Sequence, residues 1–429
     1  MSRRQVLIVV IGSGGDVFAM IELGRALVAR GHRVRLLSSP NFAARIRAAG
    51  LAFHPCVSRD EEWPAIHDPD LWRAGRGYRV LFDALLKAVP ETYRAIEAHY
   101  IPGRTMIVAN AGAMAARIAR ETLDAPLATV HLQPIMLRSR NHQPGLMMSK
   151  RWTPLIRAVR SVIMPVVDRR VFDALLAPGL NQFRATLGLP PVRRLFAKWI
   201  HSPDLVLGMF PEWFAQPEPD WPAHTYLTGF PPVDVGERPP NEHSDLDAFL
   251  EAGPPPIAFA FATTMPFARQ FFEASVEACR RLGRRGVLFT HCENNLPPLS
   301  GDVRHFRYDP GSRVLPRLAG LVHHGSLDVM AAAFAAGIPQ IAVPLHFDQP
   351  DNGARLSALG AGAVIRSAAY TTERLARTLT EVLASKAVRS KCRSLAAQIR
   401  GTDSMGIACD LLEAAGDLAL GGRIGVGVR

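Results

Sequence analysis

Strand-like and helix-like patterns alternate twice along this chain of 429 residues, and this repeat limits the fold more than any other feature. In the first part, predicted strands occupy 5–11, 33–38, 105–110 and 127–131, and predicted helices occupy 17–30 and 112–122. The alternation starts again with a strand at 257–262, a helix at 267–282 and a strand at 286–290, and continues to about residue 400. Such alternation predicts parallel, doubly wound sheets, so the expected fold class is α/β with two Rossmann-like domains.

Chain length and composition divide the sequence between these two sheets. A chain of 429 residues is too long for one ordinary core, and two domains of roughly 150 to 250 residues are expected. We predict a first domain at 1–232, a linker at 233–256, a second domain at 257–400, and a C-terminal helix with a glycine-rich tail at 401–429. The linker is placed where prolines and charged residues accumulate.

Charge and cysteine content exclude several classes of protein. The chain carries 50 Lys and Arg against 38 Asp and Glu, but no basic block interleaved with aromatic residues, so nucleic-acid binding is not expected. Its five cysteines form no CxxC pair, which disfavours a disulfide framework or a structural zinc site. No apolar run reaches the roughly 18 residues of a membrane helix, so we predict a cytoplasmic protein, able to contact the inner face of a membrane.

The stretch 321–352 combines the elements of a nucleotide-sugar site. Residues 320–322 predict the end of a buried strand, and Gly325 with Ser326 predicts the turn into a helix. The first backbone amides of such a helix lack intrahelical partners, and the helix dipole favours negative charge beside them. The turn is therefore predicted to bind a diphosphate.

A second strand, predicted at 340–344, places two polar side chains at the same edge of the sheet. Asp348 and Gln349 follow that strand, and open α/β sheets bind their ligands at the carboxyl ends of strands. These two residues are therefore predicted to lie beside the bound ligand.

Two adjacent histidines, His323 and His324, end the strand before the glycine-serine turn. Neighbouring strand residues point to opposite faces, so one of the pair can face the ligand whichever register the strand takes. We predict phosphate contact from this pair, although a lone histidine at a strand end is more often a core residue. Thr263 either offers a hydroxyl to the same phosphates or caps the next helix, and the sequence leaves both roles open.

The first turn of the chain, at 12–17, also follows a strand and opens a helix. It fails as a dinucleotide fingerprint because the third glycine of GxGxxG would fall at Val17, so nicotinamide binding is disfavoured. Asp16 is placed either to cap the helix or to act as a general base toward an acceptor hydroxyl. Gly14 and Gly15 are expected on the acceptor side of the same turn.

Two other segments have plain structural interpretations. The Asp-Leu-Asp motif at 245–247 is more typical of a helix start than of a metal site, and no metal site is predicted. The basic, amphipathic segment 138–170 is typical of a helix packed on the core. It would also suit the border of a lipid site or a bilayer surface.

Taken together, the sequence resembles the family 1 glycosyltransferases of GT-B fold, in which two Rossmann-like domains face each other across a cleft. The likeness spans nearly the whole chain. It implies that the element 323–326 binds the diphosphate of a sugar donor, that Asp348 and Gln349 hold sugar hydroxyls, and that Asp16 is the base.

Within that family, the segments 12–34, 194–222 and 308–323 are most similar to the branch of rhamnosyltransferases that makes rhamnolipids. The groups at 199–203 and 210–214 discriminate best. This likeness implies dTDP-L-rhamnose as sugar donor, a hydroxyalkanoate or other lipid-like hydroxyl acceptor, and no cofactor.

Two positions depart from the family pattern. Asp328 stands in the first helical turn, where bacterial relatives have small residues, and its charge would repel a diphosphate unless it turns away. Residues 262–264 replace a glycine-serine turn with Ala-Thr-Thr. We expect an inverting, metal-independent hexosyltransferase. A nucleotide-sugar epimerase of the same fold and an inactive partner subunit remain alternatives.

Overall fold

The chain folds around two parallel sheets that are buried on both faces. The computed structural model describes residues 4–58, 68–73, 75–139, 163–232, 240–261, 268–299, 301–307 and 313–421. Within these residues the predicted α/β class with two Rossmann-like domains is confirmed.

Seven strands form the first sheet, in the order β3-β2-β1-β4-β5-β6-β7. They are β1 (Gln5–Val9), β2 (Arg33–Ser38), β3 (Ala52–Pro55), β4 (Thr105–Asn110), β5 (Leu127–His131), β6 (Leu205–Gly208) and β7 (Thr225–Leu227). All neighbouring pairs are parallel. Alternate residues enter different cores, Leu7 and Val9 on one face and Val6 and Ile8 on the other, because successive side chains of a strand point oppositely.

Five helices accompany this sheet in the described part of the chain. They are α1 (Gly14–Ala29), α2 (Ala43–Ala48), α3 (Gly77–His99), α4 (Met114–Thr122) and α5 (Asp173–Thr186). Helix α1 begins at Gly14 instead of at position 17 as predicted, so Asp16 lies inside its first turn. Most of the amphipathic segment 138–170 lies outside the described residues.

Six strands form the second sheet, in the order β10-β9-β8-β11-β12-β13. They are β8 (Ile257–Ala260), β9 (Gly286–Phe289), β10 (Val303–Phe306), β11 (Gly320–His323), β12 (Gln340–Ala342) and β13 (Gly362–Val364). His323 at the end of β11 is level with Ala260 of β8 and Ala342 of β12. The segments that follow these three strands therefore start at the same edge of the sheet.

The remaining helices surround the second sheet or return to the first. They are α6 (Pro240–Glu251), α7 (Arg269–Leu282), α8 (Leu327–Ala336), α9 (Gln349–Leu359), α10 (Thr372–Ala384), α11 (Lys386–Arg400) and α12 (Ser404–Gly421). Helix α8 ends at Ala336, because the following Gly337 adopts a left-handed conformation with φ of 72°.

Part of the predicted linker is built into the second domain. Helix α6 covers 240–251, and its Leu246, Phe249 and Leu250 are buried with Ala258 and Phe289 of the sheet. The short helix expected near the end of this segment is thus longer and anchored by apolar side chains. We propose that the second domain consists of residues 257–400 together with α6.

Helix α12 packs on the first domain although it is last in the chain. Met405 and Leu412 are buried in the first-domain core. Glu413 accepts a hydrogen bond from Arg30 at 3.0 Å, and its other carboxylate oxygen lies 2.9 Å from His32 Nε2. The C-terminal segment thereby joins the second domain back to the first.

A buried aromatic cluster packs the first domain against α8 of the second domain. Phe214 and Phe230 of the first domain share a buried cluster with Phe334 of α8, and the Phe230 and Phe334 rings stack at 6.2 Å. Arg355 of α9 adds a polar contact, because its Nη1 donates to the carbonyl oxygen of Phe214 at 2.9 Å. These contacts set the carboxyl ends of the two sheets facing each other.

Candidate active site

A glycine turn after β1 positions Asp16 at the edge of the first sheet. The Asp16 Oδ2 accepts hydrogen bonds from the Ser13 backbone N–H at 3.0 Å and from the Ser13 hydroxyl at 3.3 Å. Glycine is needed at position 12, because a Cβ there would collide with the Asp16 carboxylate. The capping contact therefore exists, and it fixes the direction of the carboxylate.

The surroundings of Asp16 make it a stronger base than an ordinary aspartate. Burial raises the pKa of Asp16 to about 6, and the negative charge of Asp328 adds to this effect. Hydrogen bonds from the Ser13 backbone and the Gln133 side chain oppose it. A carboxylate of this pKa is ionised at neutral pH and can still accept a proton in a transition state.

The two glycines beside Asp16 have different neighbours. Gly14 begins α1 under the ring of Phe18, where an added Cβ would lie 3.1 Å from the ring. Gly15 faces the second domain, where an added Cβ would lie 2.9 Å from Asp328 Oδ2. Asp328 therefore points across the cleft at the first-domain turn.

His323 occupies a core position, which corrects the prediction of phosphate contact at this residue. It is fully buried. Its Nε2 lies 3.1 Å from Gln340 Oε1, and its Nδ1 accepts the backbone N–H of Gly325 at 3.1 Å. Both ring nitrogens are thus engaged within the protein. The same contact withdraws the Gly325 amide from any ligand, so His323 shapes the turn and does not face the cleft.

His324 and Ser326 carry unsatisfied polar atoms at this turn. The His324 Nδ1 and the Ser326 hydroxyl oxygen are buried without a hydrogen-bond partner among the described residues. Burial lowers the pKa of His324, while the nearby Asp328 raises it. Ser326 precedes α8, but its hydroxyl makes no capping bond to the helix. Buried polar atoms without partners are uncommon, and here two of them adjoin a free helix N-terminus.

Asp348 lies at the end of a strained loop after β12. The preceding residue, Phe347, has a φ of 60°, which is unusual for a bulky side chain and typical of functional sites. Burial, together with the charges of Asp16 and Asp328, raises the pKa of Asp348 to about 7, although the hydrogen bond from Asn352 opposes the rise. The carboxylates of Asp16, Asp328 and Asp348 therefore interact electrostatically between the two domains.

Asn352 connects this loop with the turn before α8. Its Nδ2 donates to Asp348 Oδ2 at 2.7 Å and to the Gly325 carbonyl oxygen at 3.0 Å. Gln349 organises the same loop, because its Oε1 accepts the backbone N–H groups of Leu345 and His346 at 2.8 and 3.1 Å. No sequence motif singles out Asn352, although it stands one helical turn after Asp348, where such a contact is possible.

An aromatic cluster on the first domain, called the aromatic wall below, reaches the second domain and was also missed. Two of its rings, Phe82 and Phe172, are buried in the first-domain core, and the other two are partly exposed. Its members are Tyr78 and Phe82 of α3 together with Phe172 and Phe196, and neighbouring ring centroids lie 5.1–5.9 Å apart. Tyr78 reaches the second domain, since its ring lies 5.3 Å from that of Phe347. No local pattern marks these residues, because their positions come from distant parts of the chain.

Thr263, predicted either to contact phosphate or to cap a helix, lies outside the described residues. In the Asp-Leu-Asp motif, Leu246 is buried in the second-domain core and Asp247 pairs with Arg317. Across the described ranges, no group of three or more His, Cys, Asp or Glu side chains is arranged to hold a metal ion.

Comparison with known proteins supports the sequence resemblance in both domains. The glycosyltransferase family 28 N-terminal domain matches residues 6–138, and the erythromycin biosynthesis protein CIII-like C-terminal domain matches residues 288–404. The glycosyltransferase GtfC of Amycolatopsis orientalis is 29% identical over 423 residues, covering 95% of this chain and 97% of that protein. The chain is a glycosyltransferase of the GT-B type.

Solved structures agree with the fold of this glycosyltransferase. The calicheamicin glycosyltransferase CalG4 superimposes with a TM-score of 0.70 at 20% identity, covering 97% of this chain and 98% of that one. The spinosyn rhamnosyltransferase SpnG complexed with thymidine diphosphate gives a TM-score of 0.65 at 19% identity, covering 95% and 99%. In the described part of the glycosyltransferase, no helix is both long and apolar enough to cross a bilayer.

Proposed function

We propose that this enzyme transfers a hexose, with inversion, from a nucleotide sugar to a hydroxyl of a lipid-like acceptor. The observation that carries the proposal is the position of Asp16. Its pKa is raised to about 6, and it lies across a narrow cleft from the free N-terminus of α8. This arrangement pairs a base with an anion site, as a single displacement at a sugar carbon requires.

The diphosphate of the sugar donor would lie at the N-terminus of α8. The Ser326 hydroxyl and His324 Nδ1 have no partner among the described residues, so a phosphate oxygen would satisfy them. The backbone amides at 327–329 precede the first intrahelical bond, which runs from Met330 to Ser326. We infer a thymidine diphosphate carrier, favoured by the thymidine diphosphate complex of SpnG. By the sequence resemblance and the named activity of SpnG, we propose L-rhamnose as the sugar.

Asp348 and Gln349 would orient the sugar. Asp348 lies between the phosphate turn and the first domain, within electrostatic reach of Asp16. Gln349 spends its Oε1 on the loop backbone, which leaves its Nε2 for a sugar hydroxyl. Asp328 turns toward Gly15, and in that position its charge lies beside the base instead of among the phosphates.

The reaction follows from these positions. The acceptor hydroxyl oxygen attacks the anomeric carbon of the sugar while Asp16 takes the hydroxyl proton. The bond from that carbon to the diphosphate oxygen breaks, and the leaving charge is stabilised at the N-terminus of α8. One displacement inverts the anomeric centre. No metal is needed in this scheme, because protein groups face both the proton and the leaving group.

An apolar acceptor suits Tyr78 and Phe196, the partly exposed rings of the aromatic wall, which the buried rings of Phe82 and Phe172 support from behind. Ile163, Val166 and Val171 lie exposed on the adjoining surface, with Arg169 and Arg170 beside them. We propose that this surface contacts anionic lipid at the inner face of the membrane, where a lipid acceptor would be found.

Mass spectrometry of products would test the proposed function. The enzyme is incubated with a panel of dTDP- and UDP-sugars, with and without hydroxy-fatty-acid acceptors. We expect a hexosylated acceptor, formed fastest from dTDP-L-rhamnose. An altered sugar nucleotide formed without acceptor would instead identify an epimerase. No product, combined with no heat on calorimetric titration with dTDP or UDP, would identify an inactive partner subunit.

The role of Asp16 has its own test. Asp16→Asn keeps an oxygen for the Ser13 N–H but cannot take a proton, so we expect kcat to fall by about 100-fold or more while the donor KM stays nearly constant. Asp124→Asn is the matched control, because Asp124 is exposed and pairs only with Arg120 among described residues. Equal kcat in Asp16→Asn and wild type would remove the base assignment.

A further inference from the structure

The first-domain side of the cleft contains a cation that the proposed chemistry does not use. Arg138 follows β5, and its side chain is 19% exposed. Its guanidinium carbon lies 4.9 Å from the Phe172 ring centroid and 6.0 Å from that of Phe196. A positive charge therefore lies against the aromatic wall, beside the partly exposed ring of Phe196.

The protein satisfies this cation only in part. Among the described residues, Asp168 is the one carboxylate within ion-pair distance, with 3.4 Å between Arg138 Nη2 and Asp168 Oδ1. That spacing is too long for a good hydrogen bond. Arg138 Nε and Asp168 Oδ1 are both buried without a hydrogen-bond partner in the described part of the chain. Burial raises the pKa of Asp168, and the positive charge of Arg138 offsets this rise only in part.

Arg138 and Asp16 lie in segments that leave the first sheet at the same edge. Gln133, which precedes Arg138 in the segment after β5, hydrogen bonds to Asp16. Strands β1 and β5 are separated only by β4, so the segments that follow them start roughly 10 Å apart. Tyr78 lies near both Arg138 of the first domain and Asp348 of the second. Burial raises the pKa of Tyr78, the charge of Arg138 lowers it, and the charge of Asp348 raises it.

We propose that Arg138 is a specificity-determining residue that binds a carboxylate on the acceptor, which rests on the proposed function. The acceptor is then an amphiphilic hydroxy acid. Its hydroxyl meets Asp16, its apolar chain lies on the aromatic wall, and its carboxylate pairs with the Nε and Nη atoms of Arg138. A guanidinium binds a carboxylate through two parallel hydrogen bonds, which the contact with Asp168 does not supply.

The test compares an acid with its ester. Initial rates are measured for 3-hydroxydecanoate and for its methyl ester, both below their micellar concentrations. In wild type we expect kcat/KM for the acid to exceed that for the ester by at least about tenfold. Arg138→Met should lose this preference by weakening the acid alone, with the ester within about twofold of wild type and the KM for the nucleotide sugar unchanged. Arg138→Lys should restore part of the preference.

Arg184 supplies a control that distinguishes substrate recognition from a structural role. Arg184 also lies near an aromatic ring, 5.4 Å from that of Trp199, but it hydrogen bonds to Glu121 and to the Pro190 carbonyl. Arg184→Met should lower the melting temperature and leave the acid-to-ester ratio as in wild type. Equal use of acid and ester by wild type would overturn the proposal. So would an equal loss of both substrates in Arg138→Met.

A binding measurement keeps this inference separate from the proposed function. Calorimetric titration with 3-hydroxydecanoate, without a sugar nucleotide, should give at least about tenfold weaker binding in Arg138→Met than in wild type. If that difference is found and no sugar is ever transferred, the proposed reaction is wrong and the carboxylate site stands. If sugar is transferred but Arg138→Met binds the acid as well as wild type, only the carboxylate site is wrong.

Discussion

The charge state of Asp16 decides when the proposed base can work. Burial raises the pKa of Asp16 to about 6, and only the ionised form accepts a proton. We therefore expect kcat/KM to fall by about tenfold per unit of pH below this value. Because Asp328 contributes to the raised pKa, Asp328→Asn should move the acidic limb of the pH profile to lower pH.

Initial rates from pH 4.5 to 8 would measure both profiles. Asp124→Asn removes an exposed negative charge elsewhere and should leave the limb in place. An unchanged limb in Asp328→Asn would mean that the two carboxylates do not interact as their positions indicate.

Asp348 should cost stability at neutral pH. Burial raises its pKa in the folded protein to about 7, above its value near 4 in an unfolded chain. Its contribution to stability is therefore complete below pH of about 4 and is lost as the pH rises through about 7. Asp348→Asn cannot ionise and keeps an oxygen for Asn352, so its melting temperature should exceed that of wild type by about 2–4 °C at pH 8.

The pH series distinguishes this effect from a simple change in packing. The difference in melting temperature between Asp348→Asn and wild type should shrink steadily toward pH 4.5. A difference that stays constant over the series would show that ionisation of Asp348 is not its cause.

Local sequence patterns predict which residues lie near this site better than they predict which way each side chain points. Alternation along a strand says that His323 and His324 point oppositely, but only the packing of β11 decides that His323 meets Gln340 in the core. The sequence places Asp16 in a first turn for the same reason that it can cap α1. Asp328 faces Gly15 only because the two domains meet there, and no local sequence pattern predicts that contact.

At the level of elements, α9 links the two loops of the donor side through Asn352. Asn352→Ala removes the donor to both Asp348 and the Gly325 carbonyl, so the turn before α8 and the loop before α9 lose their connection. We expect the Kd for dTDP and the donor KM to rise about tenfold, the equivalent of one or two lost hydrogen bonds. Calorimetry and initial rates would measure the two constants.

Asn181 supplies the matched control within the same chain. Its amide also ties a loop, exchanging hydrogen bonds with Val192 at 2.8 and 3.0 Å, but in the first domain. Asn181→Ala should reduce the melting temperature without changing either constant. If both variants weakened dTDP binding equally, general loss of stability would explain the effect.

Element boundaries follow most directly from the sequence where a residue type has a direct conformational effect. Gly337 ends α8 because it adopts the left-handed conformation that other residues avoid. Helix α6 was largely missed because it begins at Pro240 within a proline-rich and charged segment, and its anchors, Leu246 and Phe249, bury against strands far along the chain. Long-range burial of this kind leaves no local pattern that outweighs the prolines.

At the level of the whole molecule, repetition of the strand-helix pattern predicts two sheets but not how they meet. Their junction depends on the stacking of Phe230 on Phe334 and on the return of α12 to the first domain. Residues so distant in sequence are joined only by the folded structure. The Phe210–Phe214 group, singled out by resemblance, belongs to this junction instead of the reaction site.

Arg355 provides the polar part of that junction and allows its contribution to be measured. Its Nε donates to Asp351 at 3.0 Å, and its Nη1 holds the Phe214 carbonyl of the other domain. Arg355→Met removes a cation from beside a buried carboxylate, so we expect the free energy of unfolding to fall by about 3–5 kcal/mol. Arg355→Met combined with Asp351→Leu replaces both charges and should recover most of this loss.

Calorimetric unfolding would measure these losses. Arg317→Met is the control, because it breaks a surface pair with Asp247 and should cost less than about 1 kcal/mol. A loss in Arg355→Met no larger than in Arg317→Met would show that the Arg355 contact contributes little to the junction between the domains.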